Sequence, residues 1–346
     1  MNISSLPKYS LGVTMAAAML AGCSGGGSQS GISPSGVNPA QLSTRMQSRL
    51  ATLATLIGMS NAIHPYHGKS WFSPDKDKKK KDFMYVSDSG NEVVDIYTFQ
   101  KGKAGRSPTG TLSGFDEPQG ECTNGKDIWI TNTEQSDILE YKVGDKSPIA
   151  TLSDSGQYPV GCSYDKTTGN LAVSSILSTS DTQGNLAIYA GASGTPTAYT
   201  CSNIFHYYFV GYDDSGNVYV DGQTDDHFSF CDLTKGSKTM TDVTLNQSIT
   251  FPGGVQWDGK YVAVGDQQAS VIYQFTIKKS TGTEEGRTAF TGASDIIQFW
   301  IDGSTVIAPD AGKASVELFP YPAGGLPTQT ITGFSYPVGS TVAKGK

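Results

Sequence analysis

The chain has 346 residues, a formal charge of -7, only 16% charged residues and 41 glycines. That length allows one large domain with leader segments, and an acidic chain with so few charges excludes a binder that works by basic attraction to nucleic acid. Seventeen tyrosines among abundant glycine suit many short strands joined by tight turns.

The first element is a leader. Lys8 precedes an apolar run from Leu11 to Leu20, too short to span a bilayer as a finished helix. The run ends in Leu20-Ala21-Gly22-Cys23, which resembles the bacterial lipoprotein signal. The resemblance implies removal of residues 1–22 and attachment of a diacylglycerol to the Cys23 thiol, with palmitate-type chains tethering the protein to a membrane without spanning it. An ordinary secretory signal with an incidental cysteine is the alternative. Ser24 after the cysteine resembles sorting to the outer membrane, so the expected address is the bacterial cell envelope.

Residues 23–37 are rich in Gly and Ser and read as a flexible tether. Residues 38–81 read as a helix followed by a basic linker. Asn38 caps, Pro39 suits the first helical position, and Leu42, Met46, Leu50, Leu53 and Ile57 form one apolar stripe. The run from Lys76 to Asp82 reads as a solvated loop, with contact to anionic lipid or polysaccharide as the sharper alternative.

About 265 residues follow Lys81, and a cassette recurs in them every 40–50 residues. It reads Glu117-Pro118-Gln119-Gly120, Tyr158-Pro159-Val160-Gly161, Phe251-Pro252-Gly253-Gly254 and Tyr336-Pro337-Val338-Gly339, with degraded copies near Tyr208 and Gln298. Each cassette opens four short β-branched and aromatic segments separated by turn residues. Prolines 108, 148, 196 and 327 mark the start of the fourth segment, which belongs on an edge. The first unit, from Met84, lacks an inner strand, and the last segment of the chain, Gly339 to Ala343, is a strand without a unit. These facts predict an all-β, six-bladed β-propeller over 82–346, closed by the C-terminal strand in the first blade.

The stretch Tyr85-Val86-Ser87-Asp88-Ser89-Gly90-Asn91-Glu92-Val93-Val94-Asp95-Ile96-Tyr97 resembles an NHL repeat, as does the Pro-x-Gly entry of each unit. The resemblance implies a six-bladed propeller and no single activity, since such propellers include binding modules, lactonase-like hydrolases and lyases. In lactonase-like relatives a Ca²⁺ sits in the channel on Glu, Asn and Asp. Here their Pro-Asn-Gly asparagine is replaced by Gln119, Val160, Gly253 and Val338.

The cassettes and the turns after each second strand share one face. That face is expected to present Glu117, Tyr158, Phe251 and Tyr336 beside Asp88, Asn132, Asp266 and Asp310, an aromatic and acidic mouth suited to a sugar, a cation or a peptide. Structural turn bonding and wedging between blades is the competing role for each. His206, His227 and Asp225 form a candidate metal or proton-relay cluster in the fourth unit. Export permits disulfides. Nearly matching places in adjacent repeats favour Cys122–Cys162, and Cys201 and Cys231, which flank the next repeat, form the second pair, with free buried thiols as the alternative.

The functional expectation is a lipid-anchored, monomeric, non-catalytic module with no cofactor, which binds a protein, small molecule or glycan through that face. The alternative is a metal-dependent hydrolase or lyase using Ca²⁺ or another divalent ion. A purely structural envelope scaffold is a third reading.

Overall fold

The computed structural model describes residues 68–73, 82–225 and 227–344. All of the described residues belong to one compact unit. Cys23, the expected helix and the Lys76–Lys81 run lie outside the described residues.

Six antiparallel sheets form six blades of a β-propeller. Blade 2 runs outward through Pro118–Thr123, Asp127–Asn132, Asp137–Lys142 and Ala150–Ser153. Blade 3 comprises Gln157–Tyr164, Leu171–Ser178, Gln183–Tyr189 and Thr197–Tyr199. Blade 4 comprises His206–Tyr212, Val218–Thr224, His227–Leu233 and Thr241–Asp242. Blade 5 comprises Pro252–Trp257, Val262–Asp266, Val271–Lys278 and Thr281–Ala289, with Thr244–Leu245 added in parallel at its rim. Blade 6 comprises Trp300–Asp302, Thr305–Asp310, Ser315–Pro320 and Gln329–Thr332.

Blade 1 is assembled from both ends of the β region. Pro337–Ala343 is its inner strand and pairs antiparallel with Asp82–Asp88, placing Thr341 opposite Tyr85. Val93–Gln100 and Gly110–Ser113 follow outward. Trp71–Phe72 then adds an outermost strand against Thr111 and Gly110, so the segment read as linker contributes to the wheel. The expected prolines sit just before the outer strands. The first amide after each bonds back to the third strand: Thr109 to Ile96 O at 2.6 Å, Ile149 to Glu140 O at 2.7 Å and Thr328 to Leu318 O at 2.7 Å. A proline fits there because it interrupts no ladder bond.

The core is divided among the junctions between blades. Val94, Ile96, Ile128 and Ile130 pack between blades 1 and 2; Trp129, Leu152, Val173 and Tyr189 between blades 2 and 3; Met84, Ile307, Val316 and Leu318 between blades 6 and 1. Strand alternation sends successive side chains to opposite faces, so each blade supplies half of two junctions. Close approach at the axis depends on glycine. A Cβ on Gly120 would meet Val160 O at 2.6 Å, and one on Gly339 would meet Gln119 O at 2.1 Å.

Removing residues 337–346 leaves Asp82–Asp88 as a bare edge and uncovers the junctions on both sides of blade 1. The truncated protein is expected to lose its cooperative unfolding transition in urea. A transition with unchanged midpoint and slope would show that the wheel does not depend on this strand.

Candidate functional site

The residues expected to line a mouth on the entry face, where inner strands begin, are largely committed to the fold. Asp88 is fully buried, and its carboxylate accepts the amides of Ser335 at 2.9 Å and Tyr336 at 2.7 Å. Asp266 accepts the Thr250 amide at 2.7 Å and the Ala269 amide at 3.1 Å. Asp310 accepts from Ser294 at 2.9 Å and from Asp295 and Lys313 at 3.1 Å. Asn132 accepts the Asp116 amide at 2.6 Å and donates to Asp137 at 2.9 Å. Each holds backbone of the segment leading into its blade's inner strand, and Asp266 and Asp310 add an amide of their own turn, so these four side chains act as turn anchors. In blade 3, Ser175 donates instead to Asp154 at 2.6 Å. In blade 4 the place is Gly222, where a Cβ would meet His206 O at 2.2 Å. In that blade the preceding residue supplies the side-chain clamp, the buried Asp221 accepting the Phe209 amide at 2.8 Å.

The aromatic residues of the cassettes turn inward. Tyr158, Phe251 and Tyr336 pack against a cluster that joins Val160, Tyr208, Ile297 and Val338 from four different blades. Phe251 meets Tyr208 edge-on at 5.6 Å. Across the axis, Gln298 of blade 6 donates to Val160 O of blade 3 at 3.3 Å. The entry end of the channel is thus packed with side chains. Glu117 remains distinct, because it is buried and its Oε2 has no hydrogen-bond partner among the described residues.

His206 and His227 do not converge. His206 lies opposite Gln223, which lies opposite Phe228, so these three share one face of blade 4. His227 is the next residue along and points to the other face. Its Nδ1–H donates to Asp225 O at 2.7 Å, and both residues are exposed. Among the described residues, one trio of potential metal donors lies within 4.8 Å, formed by Cys201, Cys231 and Asp242. Cys201 and Cys231 are bonded to each other, S–S 2.07 Å, and so offer no thiolate.

The open space is at the opposite end. Where the six inner strands exit, a funnel of about 790 Å³ surrounds the axis. Tyr164, Tyr212, Trp257 and Trp300 line it with aromatic surface, and Asp213, Asp214, Asp258 and Asp302 outnumber Lys166 and Lys344 around it. The Cys122–Cys162 disulfide, S–S 2.11 Å, ties two adjacent inner strands in its wall. Trp129, behind that bridge, stacks on Tyr164 with ring centres 5.0 Å apart. Gln256 holds blade 5 to blade 6 by accepting from Ile301 N at 2.7 Å and donating to Ile301 O at 3.1 Å. Asp258 accepts Tyr321 OH at 2.6 Å and two amides of its own turn. Asp302 is raised above the ordinary carboxylate range by burial, with Asp82 adding to the effect and Lys344 opposing it. The lining residues Trp257, Glu121 and Ser340 each hold a buried polar atom without a partner among the described residues.

Glu121 deepens the acidic character without adding charge. Burial pushes its pKa up to about 8, against the opposing bonds from Ser87 Oγ at 2.7 Å and the Thr341 backbone. At neutral pH it is mostly a neutral acid. The funnel combines aromatic faces, amide and carboxyl groups and a rigid disulfide-tied wall. That suits stacking on a ring and hydrogen bonding to hydroxyl groups. The sequence reading missed this end because its residues follow the cassettes without a repeated motif. An aromatic residue at the end of the inner strand in blades 3, 4 and 5, at Tyr164, Tyr212 and Trp257, was the available signal, with Trp300 joining them from blade 6.

No family model matches the sequence, and no curated protein matches it. Solved structures do resemble it. A chain of a nidogen–laminin complex is 10% identical with a TM-score of 0.63, covering 77% of this chain and 99% of its own length. A functionally unknown protein from Desulfotomaculum acetoxidans DSM 771 is 9% identical with a TM-score of 0.53, covering 76% and 99%. At such identities the likeness speaks for the fold.

A carboxyl group whose pKa rises on folding binds extra protons in the native state, so its contribution falls as pH climbs from its unfolded value of 4.5 through about 8. Glu121→Gln removes that penalty. The variant is expected to be more stable than the wild type at pH 8.5 by at least about 1 kcal/mol, roughly 2–4 °C in Tm, with the gain shrinking toward pH 5. A pH-independent difference between the two melting curves would contradict the assignment.

Proposed function

We propose that the protein is an exported, lipid-anchored binding module of the bacterial cell envelope. Its propeller captures a small polyol or glycan ligand in the exit-face funnel, without catalysis. The observation that carries this reading is the funnel itself, about 790 Å³ of space ringed by two tryptophans, two tyrosines and hydrogen-bonding side chains. Sugars present apolar ring faces to aromatic surface and hydroxyls to carboxylate and amide acceptors. Buried polar atoms at Trp257 and Ser340 offer further partners to such hydroxyls. The Leu20-Ala21-Gly22-Cys23 motif supports the anchor. Nothing in the reading requires a metal or cofactor.

Two experiments test it. Titration of the full chain against envelope oligosaccharides is expected to give binding that Trp257→Ala or Trp300→Ala weakens at least tenfold with the fold retained. Turnover of a bound sugar would favour the hydrolase or lyase reading instead. Separately, Cys23→Ser is expected to abolish incorporation of an alkyne-labelled fatty acid and move the protein into the soluble fraction. Persistent labelling of that variant would remove the anchor from the proposal.

A further inference from the structure

On the entry face, where blades 1, 2 and 3 meet, carboxylates gather around Glu117. Glu117 lies in the electrostatic range of Glu134, Asp116 and Glu92, and each of the three disfavours its ionised form. Backbone bonds fix the two blade 2 loops that carry them. Thr133 N donates to Glu117 O at 3.1 Å, and Glu134 N donates to Asp116 O at 3.2 Å. Glu117 is 7% exposed, and its Oε2 is buried without a hydrogen-bond partner. Glu134 Oε1 is in the same condition. Among the described residues, no lysine, arginine or histidine forms an ion pair with Asp116, Glu117 or Glu134.

A partnerless buried carboxylate is among the costlier groups a fold can hold, and like-charged neighbours add to that cost. A cation supplied from outside removes both penalties together. The surroundings select its kind. Tyr336 stands within electrostatic range of Glu117, and Tyr158 within that of Glu134. Both residues are half-buried at the start of inner strands. Carboxylates beside aromatic rings suit an ammonium or guanidinium group, which takes charge-assisted hydrogen bonds on one side and a ring on the other. A bare metal ion fits less well. The one trio of donors within 4.8 Å among the described residues lies in blade 4, so these carboxylates are spread wider than a metal's ligand shell.

We propose that the Glu117 and Glu134 carboxylates together receive the side chain of a lysine or arginine from a polypeptide partner. The site is separate from the funnel and does not rest on the funnel's ligand. Burial, then Glu134, Asp116 and Glu92, pushes the Glu117 pKa up to about 8. A bound cation favours the ionised carboxylate, so binding releases protons at pH 7 and tightens as pH rises toward 9. Of the other groups near these carboxylates, Tyr336 is pushed up to about 12 and Tyr158 is also raised, so both hydroxyls stay neutral across this range.

The test is calorimetric titration of the full chain with the peptides acetyl-Gly-Arg-Gly-amide and acetyl-Gly-Lys-Gly-amide. The citrulline analogue and calcium chloride serve as comparisons. The expected result is binding of a charged peptide but not of the citrulline peptide, weakened at least tenfold in Glu117→Gln and in Glu134→Gln, each with its melting transition intact. Repetition in buffers of different ionisation enthalpy should report proton release at pH 7. The proposal is overturned if neither charged peptide binds at millimolar concentration, if citrulline binds equally, if both variants bind as the wild type does, or if calcium occupies the carboxylates and excludes the peptides. Trp257→Ala should leave this binding unchanged, which separates its failure from failure of the funnel reading.

Discussion

No blade of this propeller buries either of its faces until a neighbour covers it. Val316 and Leu318 of blade 6 are buried only because Met84 and Val86 of blade 1 lie against them, and the same dependence passes around the ring. A six-fold chain of such dependences is stable when it closes. Closure is made by Pro337–Ala343, which pairs with Asp82–Asp88 on one edge and sits beside Pro118–Thr123 around the axis. Hydrophobic burial supplies the driving force, while the backbone ladder of one strand decides whether all of it is realised.

Closure also explains the asymmetry of the channel. At the entry end, glycines let the inner strands approach closely, the aspartate clamps fix the chain just ahead of them, and Gln298 spans to Val160. Apolar side chains then fill what remains, which accounts for the inward position of Phe251 beside Tyr208. At the exit end the inner strands of blades 3, 4 and 5 finish in Tyr164, Tyr212 and Trp257, Trp300 joins them from blade 6, and a funnel remains around the axis. The disulfide between Cys122 and Cys162 holds two of those strand ends together in its wall.

Carboxylates show how far local donors decide the role of one chemical group. Asp310 is completely buried yet accepts three backbone amides, so its charge is compensated by the turn it stabilises. Glu121 is also buried but has a hydroxyl and one backbone group for company, and it resolves the imbalance by holding its proton near neutrality. Among the described residues Glu117 Oε2 has no hydrogen-bond partner and Glu117 has no paired cation, and its neighbours are also acidic. The first group builds, the second tunes a cavity wall, and the third calls for a partner.

Periodicity made the architecture legible in the chain itself. The recurring Pro-x-Gly cassette, the edge prolines and the orphan strand at the C-terminus specify the blade number, the strand order and the closure, because turn chemistry and strand alternation are properties of short stretches. The destination of individual side chains was not legible. Asp88, Asp266 and Asp310 read singly as turn anchors and together as a face that could bind, and the amides they accept make them anchors. His206 and His227 looked adjacent, but a one-residue offset in the ladder sends them to opposite faces. Which end of the channel stays open depends on residues as far apart as Val160 and Gln298, and no local pattern records the volume left when six distant strand ends meet around one axis.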